Sequence, residues 1–176
     1  MTGLLNLFLY QLYIIGIVAL FVGFAKLQVM FRARSMRALA AKLGFKYLGP
    51  PSIGVGIPPF RDRNMRRSLP ASFPLNWWPG KDIRYVFDVI EGEKKGVPIL
   101  IFDSYLFRGQ CTVIACQTED NPFGKKAGAD YIAQHDGWTI LYRIPYVINP
   151  LAASTMSTWL IEQVVTELWK EDVRRD

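Results

Sequence analysis

The side chains that could carry acid–base chemistry in this sequence are a few carboxylates and a single histidine. Asp88, Glu91 and Asp103 lie in or beside two β-rich stretches, so that folding could bring them together. Paired carboxylates act as general acid and general base when their surroundings separate their pKa values. None of the acidic residues shows the spacing of a calcium-binding loop. A carboxylate-dependent enzyme is therefore one interpretation of the sequence.

Other familiar catalytic chemistry is missing from the sequence. His135 is followed by Asp136 and Gly137, which are typical of a turn, and no nucleophile motif accompanies it. No Walker A, Gly-x-Ser-x-Gly or His-Glu-x-x-His motif is present. One histidine and two cysteines, Cys111 and Cys116, are too few for the usual four-ligand zinc site. We therefore expect no catalytic residue, no cofactor and no metal, and two unpaired cysteines on opposite faces of one strand.

The N-terminal stretch Leu4–Ala25 contains 22 residues and no charged side chain. As a helix it would be about 33 Å long, and the hydrocarbon core of a bilayer is about 30 Å thick. The alternatives are a buried core helix or a cleaved signal peptide. A core helix is rarely so uniformly apolar, and the stretch lacks a basic N-terminal region and an Ala-x-Ala-like site. The sequence predicts a retained transmembrane helix over residues 1–29.

The positive charge of the chain is concentrated on one flank of this helix. Residues 1–61 contain seven basic and no acidic side chains, whereas residues 62–176 contain 14 basic and 15 acidic ones. A basic juxtamembrane helix is predicted over residues 30–44, with Gly44 as its C-terminal cap. The basic residues closest to the predicted span are Lys26, Arg32, Arg34 and Arg37. By the positive-inside rule, the N-terminus lies outside and the remaining chain is cytoplasmic.

Residues 45–84 form a segment rich in proline and glycine, which disfavour helices and central strands. The segment contains a cluster of basic and aromatic side chains: Arg63, Arg66, Arg67, Trp77 and Trp78. In one interpretation, Phe73, Leu75 and one of the tryptophans cover the domain's own sheet while the arginines are solvated. Alternatively, the cluster could lie at a lipid or partner surface, or bind single-stranded nucleic acid. Because it follows a membrane anchor, we expect no nucleic acid. Together with the four basic residues after the span, it is the candidate site for membrane or partner binding.

Residues 85–176 are predicted to form an α+β domain with a mostly antiparallel sheet of about four strands and a C-terminal amphipathic helix. The strands are expected at residues 85–90, 97–102, 110–117 and 138–143. The helix is expected to run to about Glu171, with Ser154 or Thr155 as its cap. Its sheet-facing stripe is predicted to contain Met156, Trp159, Leu160, Val164 and Leu168.

The first two strands are predicted to form a hairpin with one of two registers. A two-residue turn would place Asp88 directly opposite Asp103, and like charges at such a position are destabilising. A three-residue loop over residues 94–96 would instead place Phe87 opposite Asp103. The sequence therefore favours the second register.

Several short motifs resemble a loose family of uncharacterised bacterial single-pass membrane proteins with a cytoplasmic α+β domain. They are Leu43-Gly44-Phe45-Lys46-Tyr47, Ser72-Phe73-Pro74-Leu75, Val89-Ile90-Glu91-Gly92 with Gly96, Ile101-Phe102-Asp103-Ser104-Tyr105, and Gly137-Trp138 with Leu141-Tyr142-Arg143. The chain departs from the family pattern at Asp88, where asparagine is usual, and at Ser104, where tyrosine is usual. The resemblance implies a bacterial cytoplasmic membrane and implies no activity.

These features favour a non-catalytic accessory subunit in the bacterial inner membrane. Its cytoplasmic domain would bind and stabilise a larger membrane complex, such as a respiratory or photosynthetic assembly. The expected partners are the lipid bilayer and integral membrane subunits, with no nucleic acid and no small-molecule substrate. The alternatives are a lipid- or ligand-binding sensor domain at the membrane surface and the carboxylate-dependent enzyme. Clustering of the carboxylates in a pocket would favour the enzyme.

Overall fold

The computed structural model describes residues 2–49, 68–76, 86–106, 109–123, 131–143 and 156–168. The chain divides into two compact units, residues 1–35 and residues 36–176.

The first unit is formed by the N-terminal part of a long helix, α1 (Thr2–Leu43). Every residue from Asn6 to Phe24 is exposed. Among the described residues, α1 is the one helix long and apolar enough to cross a membrane. Because these apolar side chains are exposed rather than packed, a buried core helix does not fit. A helix with these properties fits a membrane span or a signal sequence.

The end of α1 confirms the cap predicted from the sequence. Gly44 has a φ of 72°, in the left-handed region that glycine enters without steric cost. The Phe45 N–H donates to the Ala40 carbonyl at 2.8 Å, and the Gly44 N–H donates to the Ala41 carbonyl at 3.3 Å. These two bonds form a Schellman motif, which pairs carbonyl groups that the helix itself leaves free.

The second unit contains a six-stranded sheet in which all neighbouring strands are antiparallel. The strands are β1 (Lys46–Tyr47), β2 (Val86–Lys94), β3 (Val97–Leu106), β4 (Gly109–Cys116), β5 (Tyr131–His135) and β6 (Trp138–Tyr142). Their order across the sheet is β1-β2-β3-β4-β6-β5. The α+β fold with an antiparallel sheet and a C-terminal helix is therefore as predicted. The expected count of four strands is wrong because β1 and β5 were not foreseen.

Two tight turns close hairpins in this sheet. Lys95 and Gly96 have φ angles of 52° and 78°, and Asp136 and Gly137 have φ angles of 49° and 76°. Two successive positive φ angles define the type I′ turn, whose twist matches that of the flanking strands. The predicted turn after His135 is confirmed, and it joins two strands rather than a loop and a strand.

The predicted register of the β2–β3 hairpin is right at one end and wrong at the other. Phe87 pairs with Asp103, as predicted. However, Lys94 pairs with Val97, so that the turn contains two residues rather than three.

A β-bulge between Phe87 and Ile90 reconciles the two ends of this hairpin. The bulge adds one residue to β2, so that Asp88 and Val89 together lie opposite Phe102 on the neighbouring strand. Without the bulge, the two-residue turn would place Asp88 directly opposite another aspartate. The bulge therefore keeps the two aspartates from lying directly opposite each other, the role that the sequence predicts for a longer turn.

The two faces of the sheet carry separate hydrophobic cores. We call the first the helix face, because the end of α1 and a second helix, α2 (Thr158–Glu167), cover it. The helices contribute Met36, Leu39, Ala40, Ile161 and Val165 to this core. We call the other the loop face, because residues 68–76 cover it.

Aromatic contacts hold the covering segment on the loop face. The Phe73 ring lies 5.5 Å from the Phe102 ring and 5.2 Å from the Trp138 ring, both in edge-to-face geometry. The indole N–H of Trp138 donates to the Ser72 carbonyl at 3.0 Å. Aromatic pairs of this geometry add about 0.5–1.5 kcal/mol beyond the area that they bury.

Helix α2 begins two residues later than its apolar pattern suggests. Its N-cap is Ser157, whose hydroxyl accepts a hydrogen bond from the Leu160 N–H at 3.2 Å. The predicted caps, Ser154 and Thr155, lie outside the described residues. Within the described residues the helix runs to Glu167, and the predicted end near Glu171 lies outside them.

The face that α2 turns to the sheet is as predicted at four of the five positions, Met156, Leu160, Val164 and Leu168, and differs at Trp159. Ile161 and Val165 are fully buried, together with the flanking Met156. Trp159 is 65% exposed, so that its predicted place in the core is wrong. The residues at 161 and 165 are four apart and select a helix stripe that excludes position 159.

Candidate functional site

Asp88 lies in the bulge of β2 and is almost completely buried. Its φ of 51° is a left-handed conformation that aspartate adopts more readily than most residues other than glycine. The Tyr47 hydroxyl donates to Asp88 Oδ1 at 2.6 Å. The Arg37 guanidinium lies over the Tyr47 ring, 5.3 Å from its centroid. The end of α1, strand β1 and the bulge are thus joined by polar contacts through one tyrosine.

Asp103 lies on β3 and is fully buried. Directly opposite it on β4, the Thr112 hydroxyl donates to Asp103 Oδ1 at 2.7 Å. The same hydroxyl accepts from the Met156 N–H at 3.0 Å. The hydroxyl therefore uses its one donor and one of its two acceptor sites in these bonds. This second chain of hydrogen bonds joins two strands to the residue that precedes α2.

The three carboxylates considered for enzyme chemistry do not share either of two clefts formed by the described residues. Asp88 and Asp103 line neither of these clefts. Glu91 is exposed and lines the larger cleft. Buried polar groups normally have hydrogen-bond partners, and here the partners are structural elements rather than an open cavity. The arrangement fits a structural role for both aspartates.

The larger cleft has a volume of about 430 Å³ and lies at the turn end of the β2–β3 hairpin. Glu91 and Glu93 line it together with Gln117, Pro70 and Trp138. The smaller cleft, about 220 Å³, lies beside the β5–β6 turn and includes His135. No group of three metal-ligating side chains occurs within the described ranges.

His135 and the cysteines show no catalytic arrangement among the described residues. His135 Nδ1 lies 2.9 Å from Asp136 Oδ2 within the turn. Cys111 belongs to the core of the loop face and Cys116 to that of the helix face, as the strand periodicity predicts. Burial raises the pKa of the Cys116 thiol to about 12. Burial, and secondarily the charge of Asp103, also raise the pKa of the Cys111 thiol.

The structure describes only part of the predicted membrane- or partner-binding set. Lys26, Arg32 and Arg34 lie on α1 in the first unit, and Arg37 lies on α1 in the second. Arg34 and Arg37 are exposed. The cluster made of Arg63, Arg66, Arg67, Trp77 and Trp78 lies outside the described residues.

The structure gives two aromatic residues, Tyr47 and Trp159, surroundings that the sequence does not predict. Tyr47 contacts both Arg37 and Asp88. Nothing in the sequence around Tyr47 predicts these two contacts. Trp159 is the most exposed large apolar side chain among the described residues of the second unit. Its place in an otherwise amphipathic helix made it look like a core residue.

Comparisons with known proteins identify no relative of this chain. No protein-family model matches the chain, and neither a curated protein nor a solved structure matches it.

Proposed function

We propose that this chain is a single-pass membrane protein whose cytoplasmic α+β domain is a non-catalytic accessory subunit of a larger membrane complex. The observation that carries the proposal is the run of exposed residues from Asn6 to Phe24 on α1. A continuous exposed apolar surface of this size is rare on a protein that remains in water and marks a lipid- or protein-facing surface. Membrane insertion would remove it from water.

The charge distribution supports the orientation in this proposal. Basic side chains follow the apolar part of α1, beginning at Lys26. Lys and Arg residues near the end of a span keep that end in the cytoplasm. The proposed location is the bacterial inner membrane, with the N-terminus outside.

The packing of the second unit supports an accessory role rather than catalysis. Its two buried aspartates are hydrogen-bonded to Tyr47 and Thr112, which join separate elements of the fold. Only ten residues, 26–35, separate the apolar stretch from the second unit. A segment of this length reaches at most about 35 Å even when fully extended. The domain is therefore tethered close to the membrane surface, where the cytoplasmic parts of integral subunits are within reach.

The decisive experiment is purification of the full chain in mild detergent from its native membrane, followed by mass spectrometry. We expect the chain to co-purify with integral membrane proteins in fixed proportion. A matched variant replaces residues 4–25 by an unrelated apolar helix of the same length. Partners that remain bound to this variant contact the domain, and partners that are lost contact the span. Migration of the wild-type chain as a bare monomer in gentle detergents would overturn the accessory-subunit proposal.

Membrane insertion is tested separately by extraction of membranes at high pH. An inserted chain stays in the pellet, whereas a peripheral or secreted chain is released. Release into the supernatant, or cleavage of the N-terminal stretch, would overturn the transmembrane part of the proposal.

A further inference from the structure

Helix α2 and the end of α1 run in the same direction across the helix face. At the turn end of the β2–β3 hairpin, the Phe45 ring that follows α1 lies against Gly92. At the same end, Lys94 Nζ donates to the Val165 carbonyl in the last turns of α2 at 2.9 Å. Both helices therefore end beside this hairpin turn.

At the opposite end of the sheet, α1 enters the second unit and α2 begins. There Arg37 of α1 contacts Tyr47, which is bonded to Asp88 in the bulge. Met156, just before α2, is bonded to Thr112 on β4. The end at which the chain enters the second unit is thus also the end at which α2 starts.

Trp159 lies in the first turn of α2, at this same end, and is 65% exposed. Helical side chains lean toward the N-terminus of their helix. For α2 this N-terminus lies at the end where the chain enters the unit. An exposed tryptophan loses the free energy that burial of its large apolar surface would give.

The position of Trp159 in the unit favours lipid as the material that contacts its exposed ring. Tryptophan is enriched at membrane–water interfaces, where its apolar ring and polar N–H are both accommodated. Arg37 lies at the same end of the unit, and a basic side chain suits anionic headgroups. The apolar stretch of α1 ends only ten residues before this point.

We propose that Trp159 inserts into the lipid–water interface and fixes how the cytoplasmic domain lies against the membrane. This inference rests on the proposed membrane insertion of α1. It assigns a second membrane contact to the chain, separated by more than one hundred residues from the span. The occupant is the interfacial layer of the bilayer, and a protein surface is the competing outcome.

The test uses single cysteines that carry an environment-sensitive fluorophore in the full chain, reconstituted into vesicles of phosphatidylcholine and phosphatidylglycerol. The native cysteines are fully buried, so that a surface cysteine is labelled selectively. W159C is compared with Q163C and T166C, which replace exposed residues on the same side of α2. These positions lie about 6 and 10 Å further along the helix. L20C in the apolar stretch reports insertion of α1.

We expect the label at position 159 to shift its emission to the blue on reconstitution and to be quenched by lipids carrying a nitroxide near the headgroup. Quenching should fall from position 159 to 163 and to 166. An aqueous environment at position 159, or equal quenching at all three positions, would overturn the inference. Shielding at position 159 that occurs in native membranes but not in lipid vesicles would also overturn it and indicate a protein contact.

Position 20 separates failure of this inference from failure of the proposed function. Quenching at position 20 by nitroxide deep in the acyl chains, without quenching at position 159, leaves α1 inserted and removes only the Trp159 contact. Absence of quenching at both positions removes the membrane span itself. W159F labelled at position 163 serves as a further check, because loss of the anchor should reduce headgroup quenching there.

Discussion

Thr112→Val replaces a fully buried hydroxyl by a methyl group of similar size and tests the hydrogen-bond chain around Asp103. The hydroxyl donates to Asp103 Oδ1 at 2.7 Å and accepts from the Met156 N–H at 3.0 Å. Loss of a hydrogen bond at each of these two buried groups costs about 1–3 kcal/mol, and losses at neighbouring sites are not fully additive. We therefore expect the free energy of unfolding to fall by about 2–5 kcal/mol, out of a typical total of 5–15 kcal/mol for a domain, as an order of magnitude.

The buried cysteines on either side of this residue provide the assay. Cys111 and Cys116 lie on the same strand, and their thiols are shielded while the sheet is intact. A maleimide that fluoresces on reaction with thiols therefore reports opening of the second unit as full-length protein in detergent is heated. At about 3 °C per kcal/mol, the midpoint should fall by roughly 6–15 °C.

Thr112→Ser is the matched control, because it keeps the hydroxyl and removes one methyl group. Its cost should be about 1 kcal/mol, from lost apolar burial alone. Thr166→Val, at an exposed position on α2, should leave the midpoint almost unchanged. The reasoning is refuted if T112V melts with the wild type, or if the valine and serine variants lose the same stability.

Three other substitutions test neighbouring parts of the fold. Tyr47→Phe removes the hydroxyl that donates to Asp88 but keeps the ring beneath Arg37, and should cost about 1–3 kcal/mol in the same melting assay; an unchanged midpoint would contradict a stabilising role for this bond. Gly92→Ala places a Cβ against the Phe45 ring and should destabilise the second unit. The double variant G92A/F45A should recover part of this stability. A G92A protein of wild-type stability would show that the ring contact is absent. Cys116→Ala tests the pH dependence: because burial raises the pKa of this thiol from 9.0 to about 12, its contribution is fully present below pH 9 and is lost as the pH rises toward 12. The wild type should therefore lose stability faster than C116A over that interval in denaturant titrations, and parallel curves would count against the buried thiol.

The elements foreseen from the sequence are those with strong local signals. The apolar run before Lys26 predicts a long exposed helix, and Gly44 predicts its end, because a left-handed cap residue follows from local backbone sterics. Apolar runs of β-branched residues likewise predict β2, β3, β4 and β6. The two missed strands carry weak signals: β1 has only two residues, and β5 contains alanine, glutamine and histidine. Both are specified by the neighbours with which they pair rather than by their own residues.

The register of the first hairpin shows how local reasoning can identify a conflict and miss its solution. Repulsion between Asp88 and Asp103 is visible in the sequence, and lengthening the turn is the simplest way to avoid it. The chain instead keeps the tight turn at Lys95 and Gly96 and absorbs the extra residue in a bulge. A bulge depends on tertiary contacts, and here Tyr47 from β1 supplies one. Such a contact across 41 residues has no sequence signature.

The sequence predicts which residue types form the candidate membrane- or partner-binding site, but not how they are arranged. The basic residues after the apolar stretch follow directly from the sequence. The exposure of Trp159 instead depends on which side of α2 meets the sheet. Helical spacing allows overlapping stripes, and the choice of Ile161 and Val165 over Trp159 is made by packing against the strands. The sequence therefore suggests that the domain lies near lipid but does not identify the side chain proposed to touch it.

One helix belongs to both units, and this limits where the chain can be divided. Met36, Leu39 and Ala40 lie on α1 and are nearly completely buried in the core of the helix face. A water-soluble fragment that starts at residue 45 would lack all three, and loss of the methionine and leucine alone would remove about 4 kcal/mol of apolar burial. A protease that cuts after Ser35 would release an intact domain, whereas one that cuts ten residues later would release a domain with an open core. The exposed apolar part of α1 can thus be removed without opening this core only by a cut before Met36.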